Sequence, residues 1–425
     1  MTSVVCCPDY LLPTVIPVGV DYFSLYSNPG RMNVGTIAPG WRHVLSRAGL
    51  TPSVQIWDFV SLGLAVAAAD LTCLRAGSAD GWTRVINLDV HLHDPAPWEV
   101  QREALQEMLR FLTGDFWTLN LLPGGEPPPQ STAPLSYDAD CVSLLSGGMD
   151  SLVGAIDLTA AGRRPLFVSQ VAKGDKHTQR AFARALGAAD RHFQWNHRVR
   201  LTHASERSTR GRSIVFFAFA ALASCAIDLP ANGRAEVFVP ENGFISLNVP
   251  LTPGRFGSFS TKTTHPVLLS RLQAIWDAVG IPAQLVSPYS FATKGEMLTN
   301  CANQALLQQL VGESTSCGRF GYYNYTHCGR CVPCMVRRGG FIRARMPDTT
   351  RTYRFHDLAT TGRTTGANDI GAAALAYLRA QAVGASRLFG GALSFADGVN
   401  RPLYEGVVQR GLEELGVLLG QHGVV

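Results

Sequence analysis

The stretch from Cys141 to Ser151 reads CVSLLSGGMDS, and it carries the strongest signal for the fold class. Its first residues are an apolar run typical of a buried strand, and the following LVGAIDL favours a helix. Between them, Gly147 and Gly148 allow a turn with several backbone N–H groups pointing inward, and the helix N-terminus adds partial positive charge. A lone glycine pair is more often a tight turn beside an Asp or Ser helix cap, but strand, loop and helix together favour a phosphate-binding loop. The loop matches neither the Walker motif nor the dinucleotide fingerprint.

Four more short apolar runs follow, separated by helical patterns, which is typical of a parallel sheet. With the first run, the predicted strands are residues 141–145, 166–170, 192–196, 236–240 and 284–287. The sequence therefore predicts an α/β fold, a parallel sheet with helices on both faces. Ligands of such folds bind beyond the carboxyl ends of the strands, so the segments that follow these five runs form the candidate site.

The chain has 425 residues, 46 % hydrophobic and 16 % charged, which predicts a globular protein of two or three domains. Proline and glycine in residues 123–136 predict a linker. Before it, residues 1–122 predict an α+β N-terminal domain with a strand at 85–92 and a helix at 98–112. After it, residues 137–345 carry the strand pattern. Residues 346–425 predict a helical C-terminal extension, with helices at 368–383 and 402–421.

Charge and composition limit the partners and the compartment. The formal net charge is +5 without a long Lys/Arg run, so nucleic acid is not required. Residues 1–17 lack a signal-peptide pattern, and the longest apolar run, residues 214–227, is too short to cross a bilayer. Ten cysteines, four of them bunched, predict a reducing cytoplasm. Only four of the 37 basic residues are lysines, and all four lie within residues 173–294, which points to an active centre there.

The four bunched cysteines predict a metal site. They are separated by ten, two and two residues, and they are Cys317, Cys328, Cys331 and Cys334. Four thiolates at this spacing can close a tetrahedron on Zn²⁺, but a C-x₂-C-x₂-C run also binds iron–sulfur clusters, and the spacing leaves both open. We expect His327 to lie behind the ligands or to face solvent rather than to act as a fifth ligand.

The loop resembles the SGGxDS motif of the PP-loop pyrophosphatase superfamily, whose members adenylate a carboxylate, carbonyl or related group. The resemblance implies that the loop binds the pyrophosphate part of ATP, with Asp150 near a Mg²⁺ ion. The matching residues are Ser146, Gly147, Gly148, Met149, Asp150 and Ser151. Backbone donors in such a loop would stabilise the charge that grows on the departing pyrophosphate.

Loop and cysteines together narrow the resemblance to the QueC family of 7-cyano-7-deazaguanine synthases, in which the metal is a structural zinc. The resemblance covers residues 141–343 and includes Ser316-Cys317, CGRCVPCMVRR and the tract that contains Lys294 and Glu296. It implies ATP-dependent adenylation of the carboxylate of 7-carboxy-7-deazaguanine, attack by ammonia to form an amide, and dehydration to the nitrile. Lys176 and His177 match a basic-His pair that follows the second strand in that family.

The chain also departs from that family. About 140 residues precede the loop, about 80 follow the cysteines, and the tract 241–266 replaces the usual middle section. In these respects the chain is similar to QueC-like proteins of bacterial anti-phage systems, and the N-terminal extension points to the QatC proteins of the four-component Qat system. The resemblance implies that activated deazaguanine is joined to an amine of a companion protein.

Further residues after the strands are candidates for substrate binding and catalysis. Glu241 and Asn242 are expected to bind the amino and ring N–H edge of a guanine-like base, or else to cap a loop. Lys294 and Glu296 are expected to orient the substrate carboxylate or ATP, with a surface helix start as the alternative.

Lys262 and His265 lie in the tract FSTKTTHP, rich in hydroxyl groups. They are expected to contact phosphate or the acyl-adenylate, and the alternative is a solvated basic turn.

Two other functions stay open for the chain as a whole. One is tRNA thiolation by a PP-loop enzyme, and the other is a nucleotide-bound assembly module without catalysis.

Overall fold

Two β-sheets organise the computed structural model of the chain, which describes residues 2–171, 174–229, 233–252, 262–359 and 369–425. The first sheet contains β1 (Thr2–Cys7), β2 (Val20–Leu25), β3 (Gly35–Ile37), β4 (Val85–His91), β5 (Phe116–Leu122) and β9 (Val199–Arg200). The second contains β6 (Cys141–Leu144), β7 (Pro165–Gln170), β8 (His192–Trp195), β10 (Ala235–Phe238) and β11 (Ala283–Val286).

Helices flank both sheets. Those of the first half are α1 (Trp41–Arg47), α2 (Val54–Thr72), α3 (Ala96–Val100), α4 (Arg102–Thr113), α5 (Met149–Ala160), α6 (Lys176–Ala185) and α7 (Arg212–Ser224). Those of the second half are α8 (Gly243–Leu247), α9 (Pro266–Val279), α10 (Lys294–Asn300), α11 (Gln304–Leu310), α12 (Val332–Arg343), α13 (Asp369–Val383), α14 (Ala385–Phe389) and α15 (Arg401–Gln421). The fold is α/β with mostly parallel sheets, as the sequence predicts.

All five strands predicted after the linker are present, and together they form the second sheet. The order is β11-β10-β6-β7-β8 and every neighbouring pair is parallel. From β6 the chain moves to β7 and β8 on one side, and it then returns to β10 and β11 on the other. This change of direction opens a crevice between the carboxyl ends of β6 and β10, where ligands of such sheets bind.

The first sheet corrects the prediction of an α+β N-terminal domain. Five of its strands run parallel, in the order β5-β4-β1-β2-β3, and only the short edge strand β9 is antiparallel. The alternation of apolar and polar residues at 85–92 predicted a half-buried strand, and β4 has that pattern. Every second residue of β4, and of β5 beside it, is buried while those between stay accessible.

The N-terminal and central parts share one continuous hydrophobic core. Helix α7 packs against α2 so closely that a Cβ on Gly63 would lie 3.3 Å from the Cβ of Ala218. Residues 123–136 form neither helix nor strand, as predicted, but Trp57 Nε1 donates to the Glu126 carbonyl at 2.9 Å, which ties this connection to α2. The connection therefore lies along the core rather than separating two independent bodies.

The C-terminal part is helical, as predicted, although residue 368 lies outside the described residues. Helix α15 packs against α12 and α13, and its buried face carries residues such as Leu412 and Leu415. Gly411 fits against the Phe244 ring, where a Cβ would lie 2.3 Å from Cδ2. The extension therefore closes over α8, the helix that follows β10.

Among the described residues, one helix, α2, is long and apolar enough to cross a membrane by length and composition alone. Its most apolar 18-residue stretch has a mean hydropathy of 1.4, and 83 % of that stretch is buried inside the protein. Such burial is typical of a core helix. The sequence analysis named residues 214–227, most of which lie in α7, as the longest apolar run and did not single out α2.

Candidate functional site

The glycine loop joins β6 to α5, as the sequence predicts. Gly147 adopts φ +89°, a left-handed conformation that glycine reaches without strain, and its carbonyl accepts from Thr315 N at 2.9 Å. The Ser146 hydroxyl accepts from Gly148 N at 3.2 Å, and it lies 3.1 Å from the Ser151 hydroxyl. The first turn of α5 begins at Met149, and N–H groups of a first helical turn lack partners within the helix. The loop therefore holds backbone donors at the edge of the crevice.

Close packing of α5 on the end of β10 sets the position of this loop. Gly154 faces Pro240, and a Cβ on Gly154 would lie 2.5 Å from the Pro240 Cβ. Only a residue without a side chain permits this approach. The N-terminus of α5 is thereby held beside the segment that follows β10.

Asp150 and Lys294 form a buried ion pair in the crevice. Both side chains are about 6 % exposed, and Lys294 Nζ donates to Asp150 Oδ1. Asn242 donates twice to Asp150 Oδ2, from its side-chain amide at 2.7 Å and from its backbone N–H at 3.2 Å. Burial alone raises the pKa of Asp150, but the attraction of Lys294 and these hydrogen bonds outweigh it and hold the pKa below its ordinary range. Asp150 is therefore ionised at neutral pH.

Glu241 lies next to this pair and behaves in the opposite way. Burial raises the pKa of Glu241 well above its ordinary value, and the negative charge of Asp150 raises it further. The pKa values of the two carboxyls are thus shifted in opposite directions, as happens when two acids share one site. The Glu241 Oε1 also accepts from the Asn242 amide at 3.2 Å. Asn242 caps α8 by accepting from Ile245 N at 3.0 Å, so the capping alternative also holds for this residue.

These groups border a cavity of about 270 Å³. The loop, Glu241 and Lys294 line it. Residues 315–318, which lead into the cysteine cluster, line it as well. We call this space the loop cavity. It combines backbone donors, a buried lysine and two carboxyl groups whose pKa values are shifted in opposite directions, a set that can bind an anion and neutralise growing negative charge.

The four cysteines converge on one point, as the spacing predicts. All four are buried, their Sγ atoms lie within 4.8 Å of one another, and the Cys317–Cys331 and Cys328–Cys334 Sγ distances are both 3.9 Å. Thiolates about 2.3 Å from a tetrahedral Zn²⁺ stand roughly 3.8 Å apart, so the four sulfurs could hold one zinc ion. An iron–sulfur cluster shares its thiolates among several iron atoms and spreads them more widely.

Backbone geometry prepares the sulfurs for a cation. Arg330 N and Cys331 N donate to Cys328 Sγ at 3.4 and 3.2 Å, in a turn that Gly329 permits with φ +82°. Cys317 Sγ accepts from Cys328 N at 3.3 Å. Hydrogen bonds from the neighbouring thiols and from the backbone lower the pKa of Cys328.

His327 precedes Cys328 and lies outside the group of four converging cysteines. Its ring is buried, and Nε2 accepts from Ser316 N at 3.2 Å. Burial lowers the pKa of His327 to about 4, so the ring is neutral. It therefore holds the backbone of the segment that lines the loop cavity.

The buried Arg337 is a supporting residue that the sequence reasoning missed. From α12 it donates to the Ser314 carbonyl at 3.0 Å, to the Ser316 hydroxyl at 3.2 Å and to the Val311 carbonyl at 2.8 Å. It lies in the VRR tract directly after the cysteines, and because a second arginine follows it, no signal in that tract would single it out. Arg337 ties the cysteine segment to the loop cavity.

Glu414 is a second missed residue. It is 5 % exposed, accepts from the Thr293 hydroxyl and from Gly295 N at 3.2 Å, and so anchors α15 on the start of α10. Lys294 lies between those two partners in the sequence. The helical extension therefore helps to hold the lysine of the loop cavity, and a lone glutamate on the apolar face of α15 was the signal.

Glu296 does not line the loop cavity, in contrast to its predicted role in substrate binding. Its carboxylate accepts from Thr293 N at 2.9 Å in a capping box and pairs with Arg410 at 2.6 Å. Both carboxylate oxygens are thus engaged in fixing α10. The alternative prediction, a helix start with Glu near the positive end, describes this residue.

Lys176 and His177 also stay outside the loop cavity. They begin α6 and both are exposed. Gln179 from the same helix reaches the loop and donates to the Ser146 carbonyl at 3.1 Å. The pair is therefore near the loop in the fold, but it does not contact the buried ion pair, because the first turn of α6 turns these side chains to solvent.

The structure places Lys262 and His265 in a cavity other than the loop cavity. His265 caps α9, accepting from Val267 N at 3.2 Å, and Lys262 lies 4.3 Å from the Phe111 ring centroid. Helix α8 lies between the two spaces, with Asn242 at its N-terminal end and Asn248 at its C-terminal end.

Comparison of the chain with family models, curated proteins and solved structures gives no match.

Proposed function

We propose that the chain is a PP-loop, QueC-like enzyme that uses ATP to adenylate the carboxylate of 7-carboxy-7-deazaguanine or a close analogue. The observation that carries the proposal is the glycine loop at the crevice of the parallel sheet, with Lys294 and ionised Asp150 beside it. A loop of this kind can bind a polyphosphate, and the buried lysine can bind an anionic group such as the substrate carboxylate.

The proposed reaction transfers AMP. A carboxylate oxygen of the acid attacks the α-phosphorus of ATP, the bond between the α-phosphorus and the bridging oxygen breaks, and pyrophosphate leaves with that electron pair. An amine nitrogen then attacks the acyl carbon, AMP leaves, and the nitrogen loses a proton. The amine is ammonia on the route to an amide and nitrile, or an amine of a companion protein in anti-phage defence.

The residues of the loop cavity have separate roles in this proposal. Backbone donors from Gly147 to Ser151 would hold the departing pyrophosphate, where negative charge grows. Lys294 would bind the carboxylate or the α-phosphate. Asp150 would bind Mg²⁺, which neutralises phosphate charge when present, and its ionised state suits a cation. Protonated Glu241 would donate to the base or carboxylate of the substrate.

The cysteine cluster would act through structure rather than chemistry. Its Cys317 and the adjoining residues line the loop cavity, and Thr315 N bonds the Gly147 carbonyl. A Zn²⁺ ion bound by the four thiolates would fix this segment against the loop. Four protein ligands leave no open position, which is typical of structural zinc.

Pyrophosphate exchange tests the proposal directly. The full chain is incubated with ATP, Mg²⁺ and radiolabelled pyrophosphate, with and without 7-carboxy-7-deazaguanine. We expect label to enter ATP only when the acid is present, and Asp150→Asn to reduce the rate at least 100-fold, in the range seen when a charge-stabilising group is removed from a reaction centre.

Asp190→Asn is the matched control, since Asp190 is exposed and makes no ion pair within the described residues. Exchange without the acid, or none with it, would contradict the proposal. The tRNA-thiolation alternative predicts bound iron and sulfide instead. The assembly-module alternative predicts that Asp150→Asn leaves defence intact in cells.

A further inference from the structure

A second cavity of about 640 Å³ lies where α4, α9 and the segment before α15 meet. This size is in the range of pockets that enclose small molecules, and it exceeds that of the loop cavity. Phe111 of α4, His265 of α9 and Phe395 line it, with ring centroids 5.1 Å apart for Phe111–His265 and 4.9 Å for His265–Phe395. We call it the basic cavity.

Four cationic side chains are among the residues that line it. They are Arg110, Arg210, Lys262 and Arg271. Among the described residues that line the cavity, Glu107 is the single carboxylate, and its Oε2 is 3.7 Å from Arg271 Nη2. Within the described part of the chain, neither Lys262 nor Arg210 forms an ion pair. The cavity thus gathers more positive charge than its own residues neutralise.

Arg210 supplies an independent sign of a ligand. It is 6 % exposed, its Nη1 donates to the Thr113 carbonyl at 3.2 Å, and its Nη2 has no hydrogen-bond partner among the described residues. A buried guanidinium N–H without a partner costs free energy, so its presence beside a cavity indicates a missing acceptor. Burial lowers the pKa of Lys262, and the nearby charge of Arg210 lowers it further.

His265 adds a neutral donor. Its Nδ1 accepts from Val267 N, and burial lowers the pKa of the ring to about 4. The proton of the neutral ring is therefore on Nε2. Arginine forks, a lysine and an imidazole N–H together match the oxygens of a phosphate group, for which guanidinium gives paired hydrogen bonds.

We propose that the basic cavity binds a small phosphorylated anion, either inorganic pyrophosphate or the phosphate chain of a nucleotide. The site does not depend on the function proposed for the loop cavity. Helix α8 joins the two, since Asn242 at one end bonds Asp150 and Asn248 at the other lines the basic cavity.

Calorimetric titration of the full chain tests the proposal. Inorganic pyrophosphate is titrated without Mg²⁺ into the wild type and into the double variant Lys262→Gln, Arg271→Gln. Each lost cation should weaken binding at the basic cavity by about tenfold or more, as expected for a hydrogen bond to a charged group. Arg379→Gln is the matched control, because Arg379 is exposed on α13 and makes no ion pair within the described residues.

The number of pyrophosphates bound per chain distinguishes binding at the two cavities. Two pyrophosphates per wild-type chain and one per double variant support both sites, and one falling to none supports the basic cavity alone. Binding that is unchanged in the double variant overturns the proposal, as does citrate binding as tightly as pyrophosphate. Parallel titrations with ADP identify the source, since tighter binding of ADP assigns a nucleotide and equal binding assigns the phosphate chain. Unchanged circular dichroism shows that the double variant folds.

Discussion

Replacing Lys294 with methionine leaves the Asp150 carboxylate buried without its counter-ion. The pair is about 6 % exposed on both sides, so its two charges are largely shielded from bulk water. Removing one partner of a buried pair costs about 3–5 kcal/mol of the free energy of unfolding. The two hydrogen bonds from Asn242 remain and soften the loss.

Protonation sets an upper limit on this cost. Protonating an Asp of ordinary pKa near 3.9 at pH 7 costs about 4 kcal/mol of free energy, because each pH unit above the pKa costs about 1.4 kcal/mol. The variant therefore cannot lose much more than this through its charge, and we expect a loss of about 3–4 kcal/mol at pH 7. The loss should shrink as the pH falls toward 4, because neutral Asp150 is then inexpensive to bury. Asp150→Asn combined with Lys294→Met removes both charges and should be more stable at pH 7 than Lys294→Met alone.

Urea unfolding at 25 °C, followed by tryptophan fluorescence, measures these differences. Arg102→Met is the control, because its pair with Glu99 is exposed and contributes about 0.5 kcal/mol or less. A loss below about 1 kcal/mol for Lys294→Met, or one that does not change between pH 7 and pH 5, would refute the reasoning. So would a double variant that is no more stable than the single one.

Three further changes test other parts of the site. Glu241 has a raised folded pKa, so its contribution to stability is fully present below its unfolded pKa of about 4.3 and is lost as the pH rises through the folded pKa; Glu241→Gln should flatten this decline above pH 5 in urea unfolding without Mg²⁺. Cys334→Ser should lower bound zinc from one per chain to well below one by mass spectrometry, and iron with labile sulfide in the wild type would contradict the zinc assignment. Gly154→Ala should cost about 1–3 kcal/mol through the clash with Pro240, whereas Gly420→Ala in α15 should be neutral or slightly stabilising; equal effects would remove the argument from close packing.

The central sheet and the two binding motifs could be predicted because their signals are local. Each strand is a short apolar run, the loop follows the first strand directly, and the last three cysteines lie within seven residues. The scarcity of lysine also singled out Lys294. That it pairs with Asp150 depends on α10 packing near α5, 144 positions along the chain, and no local pattern encodes this.

The pKa shifts, and the cavity that each side chain lines, could not be predicted from the sequence for a related reason. The raised pKa of Glu241 exists only because Asp150 lies beside it. Lys262 lies in the same tract as Glu241, residues 241–266. The short helix α8 begins directly after Asn242, and Lys262 lines the basic cavity instead of the loop cavity. In the first sheet, strands β1 to β3 were not predicted because they lie among prolines and glycines. A strand's partners also cannot be inferred from its own periodicity.

The packing of α2 against α7 has a consequence for synthesis on the ribosome. The apolar surface of α2 is complete once residue 72 has emerged, but its cover, α7, ends at residue 224. Edge strand β9, at residues 199–200, also arrives late. The nascent N-terminal half must therefore wait through about 150 further residues with this surface exposed, which at 5–20 residues per second lasts roughly 8–30 s and invites a chaperone. A fragment that stops at the linker would stay in that exposed state permanently.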